Sequence, residues 1–198
     1  LFIVLRAHIV RVILGSGAFD WTDTRLTAAV LALLSLSLTA QGITYLLVRG
    51  YYAAGRTFVP FLVALGTSLG TVGLGAILIG VFQNELISKL AQGLLRVVDV
   101  PGSTVLALAF ASTSVSILGS IVLIVHFEHR FSGFFSRVWR AWVESAVAAL
   151  LAGSAAYGVL VAIGPITLAS TTLSVFTRGF VAGVFGIIVA GLVYALLR

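Results

Sequence analysis

The sequence predicts an all-α fold, a polytopic bundle of membrane-spanning helices. Long apolar runs without charge predict it, together with charges confined to the gaps between those runs. No charged residue occurs in 26–48, 57–83, 100–125, 145–177 or 179–197. A hydrocarbon core roughly 30 Å thick takes about 20 apolar residues in a helix. Each run is long enough to cross. The composition agrees: 60% of the residues are hydrophobic and 9% are charged, where an ordinary soluble domain carries about 25% charged residues.

The net charge of +6 does not point to nucleic acid, because the basic residues punctuate apolar helices and form no polar patch. No nucleic-acid partner is expected. There is no cysteine, which excludes disulfides and thiolate metal sites. There is no methionine either, and the chain opens on Leu1-Phe2-Ile3-Val4-Leu5, already inside an apolar helix. A fragment of a longer protein, cut within a helix, is the expectation. No charged n-region with a cleavage site marks a signal peptide.

Residues 1–14 are too short to span and are interrupted by Arg6, His8 and Arg11. They read as the end of a truncated helix, stopped at Gly15-Ser16-Gly17, since glycine suits a left-handed C-cap. Asp20 or Thr22 can cap the next helix, expected at about 24–48, and Asp23 favours its positive end. Gly50 to Arg56 reads as a short polar connection. The next helix is expected at about 57–82, with Pro60 in its first turn, where the missing N–H does little harm.

In 84–99, Leu86, Leu90, Leu94 and Val97 alternate with polar residues. That spacing predicts an amphipathic helix lying in the interface, broken by Pro101-Gly102. A helix at about 102–126 follows, then a basic, aromatic connection from Glu128 to Arg140. The last two spans are expected at about 141–163, stopped by Gly164-Pro165, and at about 176–197, after a Ser/Thr-rich link at 167–174.

Lys and Arg bias orients the bundle. Arg49 and Arg56, then Arg130, Arg137 and Arg140, then Arg198 fall on one side if the spans alternate. The positive-inside rule places that side, and the C-terminus, in the cytoplasm. Trp139, Trp142, Phe131, Phe134 and Phe135 fit an aromatic belt beside it.

No hydrolytic or redox constellation is visible, and an enzyme is not expected. His8, His126 and His129 have no acidic or histidine partners at metal-ligand spacing and read as interfacial polar residues. Small residues are the stronger signal. Gly66 and Gly70, Gly179 and Gly183, the row Ala148, Ala152 and Ala156, and the row Ala182, Gly186 and Ala190 all recur every fourth position. Such rows let helices approach closely in lipid, either for static packing or to let helices slide and bend.

Arg6 and Arg11 lie about 140° apart around a helix, and each can reach a cavity or snorkel to headgroups. Arg49 can grip a lipid phosphate with its planar donor fork or simply anchor the helix end. Hydroxyls cluster at Ser112, Thr113, Ser114 and Ser116, and at Thr67, Ser68 and Thr71. They can bond across helices or help hold a small cation, although no acidic residue accompanies them.

The order of motifs resembles the MviN/MurJ lipid II flippases. The stretch from Leu5 to Phe19, ending in Gly17-Ala18-Phe19, is similar to a family segment that ends in Gly-x-Phe, and Asp23-Thr24 and Thr27-Ala28-Ala29 follow as they do there. Arg49-Gly50-Tyr51-Tyr52-Ala53 with Pro60 resembles the family's Arg-x-Phe-Tyr-Ala followed by Thr-Pro. Ala107-Leu108-Ala109-Phe110-Ala111-Ser112-Thr113 is similar to its Gly-Leu-Ala-Leu-Ala-Thr-Ser.

The resemblance implies the multidrug/oligosaccharidyl-lipid/polysaccharide exporter fold, two six-helix lobes around a cavity. Residues 1–126 would be a partial second lobe, and 127–198 a cytoplasmic loop with two extra C-terminal helices. It further implies alternating-access transport of a lipid-linked peptidoglycan precursor across the bacterial inner membrane, driven by the membrane potential or an ion gradient. The expected partners are an anionic lipid-linked substrate, membrane lipids and the N-terminal lobe of the same polypeptide. Arg6, Arg11 and Arg49 are the candidate head-group contacts.

No organic cofactor is implied, but a coupling cation, Na+ or H+, is. Ser112 stands where the family's cation site has Thr, and Gly73-Leu74-Gly75 where it often has Asn or Asp. No complete cation site is therefore evident. Arg56 replaces a usual acid, and Val59 the Thr before the proline. The alternatives are a polysaccharide-unit or drug exporter of the same superfamily, a non-transporting assembly subunit, and a membrane enzyme acting on lipids.

Overall fold

The computed structural model describes residues 1–15, 19–95, 97, 98, 100, 102, 104–164 and 171–197. Every element in it is helical: α1 (Phe2–Leu14), α2 (Trp21–Ala53), α3 (Phe58–Val81), α4 (Glu85–Leu95), α5 (Val105–Arg130), α6 (Phe134–Ile163) and α7 (Thr172–Leu197). Five of these, α2, α3, α5, α6 and α7, are long and apolar enough to cross a membrane. They match the charge-free runs, and the protein is a multi-pass membrane protein.

The spans are longer than those runs. α2 was expected at 24–48 and reaches Ala53, so Gly50, Tyr51 and Tyr52 are helical, and the turn comes only at Ala54 and Gly55. α5 runs on to Arg130 and α6 begins at Phe134. The expected connection from Glu128 to Arg140 shrinks to Phe131–Gly133. α7 likewise begins at Thr172, inside the expected link. The reason is physical. Charge marks where hydrocarbon ends, whereas Arg, Glu and aromatic residues sustain the backbone hydrogen-bond ladder into the headgroups.

Caps fix the ends. Asp20 Oδ1 accepts from the Asp23 N–H at 2.8 Å and Asp23 Oδ2 accepts from the Asp20 N–H at 3.1 Å. This reciprocal pair makes Asp20, not Thr22, the cap of α2. Gly15 caps α1 with φ −75°, outside the left-handed region; Ser16 and Gly17 lie outside the described residues, as do Arg96, Asp99 and Pro101. Gly164, with φ 99°, ends α6 in the backbone region that glycine tolerates. Glu128 Oε1 accepts from the Gly133 N–H at 2.9 Å and closes the turn between α5 and α6.

The chain divides into two compact units, Leu1–Ala28 with Phe135–Arg198, and Ala29–Phe134. In the first, α1 packs on α7. A Cβ at Gly179 would stand 3.0 Å from His8 Cβ, and one at Gly183 3.3 Å from Leu5 Cδ1. One at Gly186 would overlap Leu1 Cδ2 and stand 3.1 Å from the Ala152 carbonyl oxygen. Ala148, Ala152 and Ala156 form the buried face of α6. The small-residue rows of α6 and α7 are therefore contact faces.

In the second unit, α3 packs on α5. A Cβ on Gly70 would touch Val115, one on Gly75 would touch Leu108, and one on Gly119 would overlap Thr67 Cγ2. Gly66, expected to pair with Gly70, meets nothing within 4 Å. α2 joins α5 through two widely spaced bonds. Thr113 Oγ1 donates to the Leu33 carbonyl at 3.0 Å, and the Tyr51 hydroxyl meets His126 Nδ1 at 2.6 Å. Their sequence separations, 80 and 75 residues, are nearly equal, so α2 and α5 run parallel.

The exterior is apolar. On α3, Leu62, Leu65, Leu69 and Val72 are all exposed, Val72 by 74%. A water-soluble fold would bury them; lipid requires no such burial. α4 exposes Leu86, Leu90 and Leu94, one turn apart on one face, while Lys89 bonds Glu85 at 3.0 Å beside them. That hydrogen bond and the lysine charge hold the Glu85 carboxyl below the usual carboxylate range. α4 has the pattern of a helix lying at an interface.

Gly119 tests the close approach of α3 and α5. Gly119→Ala should lower the stability of the detergent-solubilised protein by about 1–3 kcal/mol, as overpacking does. Thr67→Ser, which removes the Cγ2 in the way, should restore much of the loss in the double variant. Thermal unfolding of the three proteins decides it, and a Gly119→Ala protein as stable as the parent would mean that the helices are not this close.

Candidate functional site

At the end of the second unit where α2 and α5 finish and α3 begins, basic and imidazole groups gather. Arg49 and Arg56 are exposed, and so are His126, His129 and Arg130. They cap a core of aromatic rings. Tyr51 is fully buried there, with Phe127 edge-on at 5.3 Å between ring centroids and Phe131 at 6.1 Å. Phe134 packs edge-on to Phe127 at 5.1 Å. A buried phenol needs a partner for its hydroxyl, and His126 supplies it.

Below this end a groove of about 410 Å³ opens between α2, α3 and α5. From α2 it is lined by Gln41, Thr44, Tyr45, Val48 and Tyr52. At 100° per residue these fall on one face of the helix. Pro60, Phe61, Val63 and Thr67 of α3 and Ser116, Ser120 and Leu123 of α5 complete it. Hydroxyls and apolar carbons alternate along the walls, and no charged side chain among the described residues lines it. Arg49 lies one turn beyond Tyr45 and about 40° around the helix from it. It therefore flanks the groove without lining it.

The motif residues divide between core and groove. Tyr51 serves the core, whereas Tyr52, exposed, and Pro60, buried in the first turn of α3, line the groove. Gly17 lies outside the described residues. Phe19 is half-buried, and its carbonyl accepts from Arg11 Nη1 at 3.4 Å. Arg6 and Arg11 are half-buried on α1, in the first unit. Their spacing puts them on different faces, so they form no joint cradle on that helix.

Ser112 is half-buried and lines no part of the groove. Its neighbour Thr113 binds α2. Among the described residues no group of three His, Asp or Glu side chains could hold a metal ion.

The sequence singled out Thr67 and Ser116 as hydroxyl-cluster members, but not Gln41, Thr44, Tyr45 or Ser120. A signal existed on α2, where Gln41, Tyr45 and Tyr52 recur at helical spacing inside an otherwise apolar run. The link from Tyr51 to His126 had none, because it joins residues 75 positions apart.

In the first unit, α1 and α7 enclose a second pocket of about 290 Å³, with Leu5, His8, Val12, Phe176, Gly179 and Phe180 among its lining. His8 Nδ1 is buried without a hydrogen-bond partner, and the other lining side chains are apolar.

A family model described as "Lipid II flippase MurJ" matches residues 1–177. No curated protein and no solved structure is found to be similar to the chain.

The Tyr51 bond has a measurable consequence. Tyr51→Phe and His126→Ala should each cost about 1 kcal/mol of stability, the net worth of a hydrogen bond. The double variant should lose less than the sum, with a coupling of similar size. Strict additivity in thermal unfolding would mean that the two side chains do not interact.

Proposed function

This chain belongs to the MurJ lipid II flippase family, and from that premise we propose that it works in a transporter moving a lipid-linked peptidoglycan precursor across the bacterial inner membrane by alternating access. The match over residues 1–177 carries the reading. Five apolar spans supply the setting.

The physics of such a cargo supports the same reading. A pyrophosphate head is costly in hydrocarbon, so a carrier must offer cations and shield the head from lipid tails. The tail can stay in the bilayer throughout. No bond in the substrate is made or broken, and hence no nucleophile or acid–base pair is required. Arg49, exposed at the end of α2, offers the fork geometry that suits a phosphate. Arg6 and Arg11 offer two further guanidinium groups on α1.

The basic ends of α2 and α5 face the cytoplasm under the positive-inside rule. With alternating spans, α7 then ends on the cytoplasmic side. The driving force is the membrane potential or a gradient of Na+ or H+, acting on the alternation between the two access states. The N-terminal lobe of the same polypeptide completes the cavity.

Removing the charge at Arg49 should reduce lipid II flipping by the intact protein about ten-fold or more, since a hydrogen bond to a charged group is worth about 1.5–3 kcal/mol. Arg49→Lys should keep part of the activity as a point charge without the fork. A flux assay at equal membrane abundance checks it, and unchanged flux in Arg49→Ala would leave the residue as a membrane anchor alone.

A further inference from the structure

The groove between α2, α3 and α5 poses a problem of unpaired polar groups. Its hydroxyls include Thr44, Tyr45, Tyr52, Ser116 and Ser120. Among the described residues none of the five has a hydrogen-bond partner in the protein. Ser120 matters most, because it is only 3% exposed and still lines the groove. Other hydroxyls of these spans behave differently. Ser35, Ser37, Thr67 and Thr71 each bond a carbonyl of their own helix, the usual way to satisfy a hydroxyl in a membrane helix. Thr67 lines the groove as well but is satisfied by Ala64, whereas the five others are left to an occupant.

Depth and charge say what kind of occupant. Gln41 lies about 18 Å along α2 from Ala53, and Ser116 about 21 Å along α5 from Arg130, at 1.5 Å per residue. The polar lining thus runs from the basic end down to the middle of the spans. No cation among the described residues lines it, so an anionic head could not follow it inward without leaving its charge unpaired in hydrocarbon. The walls between the hydroxyls are apolar, with Val48, Phe61, Val63 and Leu123 beside them. The occupant therefore carries oxygen acceptors, no charge and hydrocarbon chains.

We infer that this groove is a binding site for an uncharged lipid of the diacylglycerol class. Its ester carbonyls accept hydrogen bonds from the hydroxyls of Thr44, Ser116 and Ser120. Its free hydroxyl lies toward Tyr52 at the basic end, and its acyl chains leave deeper than the carbonyls, past the exposed face of α3. Without a charged head such a lipid settles deeper than a phospholipid, which matches the depth of the lining. The site requires only that the chain spans a membrane and is independent of what the protein transports.

The test is native mass spectrometry of the purified protein in detergent micelles, titrated with dioctanoylglycerol. One molecule should bind per chain. The diether analogue, which lacks the carbonyls, should bind at least about five-fold more weakly, the effect of one lost hydrogen bond. Phosphatidylglycerol with the same chains should also bind more weakly. The triple variant Thr44→Val, Ser116→Ala, Ser120→Ala keeps the shape of the walls and should bind diester and diether equally.

Equal retention of diester and diether by the parent protein would overturn the site. So would equal binding of phosphatidylglycerol, which would mark an unselective annular lipid. Displacement of the diester by an equimolar polyprenol would also overturn it and assign the groove to an isoprenoid chain. The parent protein is the reference in every arm, so poor folding of the variant cannot rescue the inference.

Discussion

Helices in lipid have no hydrophobic force drawing them together, because the surrounding chains are as apolar as leucine. Close approach of backbones must do that work, and bulky side chains forbid it. The packing of this protein follows from that constraint. Half of its buried apolar residues among those described are alanines. Its tightest helix crossings, at Gly119 and Gly186, have no room even for a methyl group. Many leucines, isoleucines and phenylalanines point outward, as far as 85% exposure at Leu196. The pattern is that of a water-soluble bundle with the sizes of inner and outer residues reversed.

The spans were legible because hydrocarbon excludes charge, and exclusion leaves a mark on sequence. The helix ends were not, because nothing excludes a helix from the headgroups. Tyr51 and Tyr52 read as a connection when charge is the guide, yet their N–H groups still find carbonyls one turn back. The stretch from Phe134 to Arg140 behaves in the same way. Where a cap is made by local chemistry it could be read in advance. Asp20 with Asp23 is a reciprocal pair within four residues, and Gly164 stops a helix by backbone freedom alone.

The small-residue rows show the limit from another side. Periodicity finds the row, but the row does not name its partner. Gly179 and Gly183 meet α1, and Ala152 with Ala156 meets Gly186 of α7. Gly66 belongs to an equally regular row and touches nothing. The groove was hidden for a related reason. Its polar lining is spread over α2, α3 and α5, and each helix contributes only a few oxygens to it. Only the parallel alignment of α2 with α5, fixed by long-range bonds at Leu33 and Tyr51, brings Thr44 and Ser120 to one surface.

Charges and hydroxyls are sorted by depth in the second unit, and the sorting constrains how a charged head could pass. Arg49, Arg56, His126, His129 and Arg130 stand at one end, while Glu85 and Lys89 belong to α4 beyond the other. Between them the polar groups are neutral. A cation at mid-depth costs about 2.5–3.5 kcal/mol by insertion scales, whereas a hydroxyl can fall back on a helix carbonyl. Residues of this kind tolerate an empty groove; a buried arginine would not. An anionic head therefore gains nothing from this unit once it passes below the level of Arg49. The guanidinium groups that interrupt an apolar helix are on α1, at Arg6 and Arg11, half-buried and in the other unit. Under the proposed function, the cations offered to a lipid-linked anion are Arg49 at the end of the second unit and Arg6 and Arg11 on α1, and the mid-depth of the second unit is left to uncharged groups.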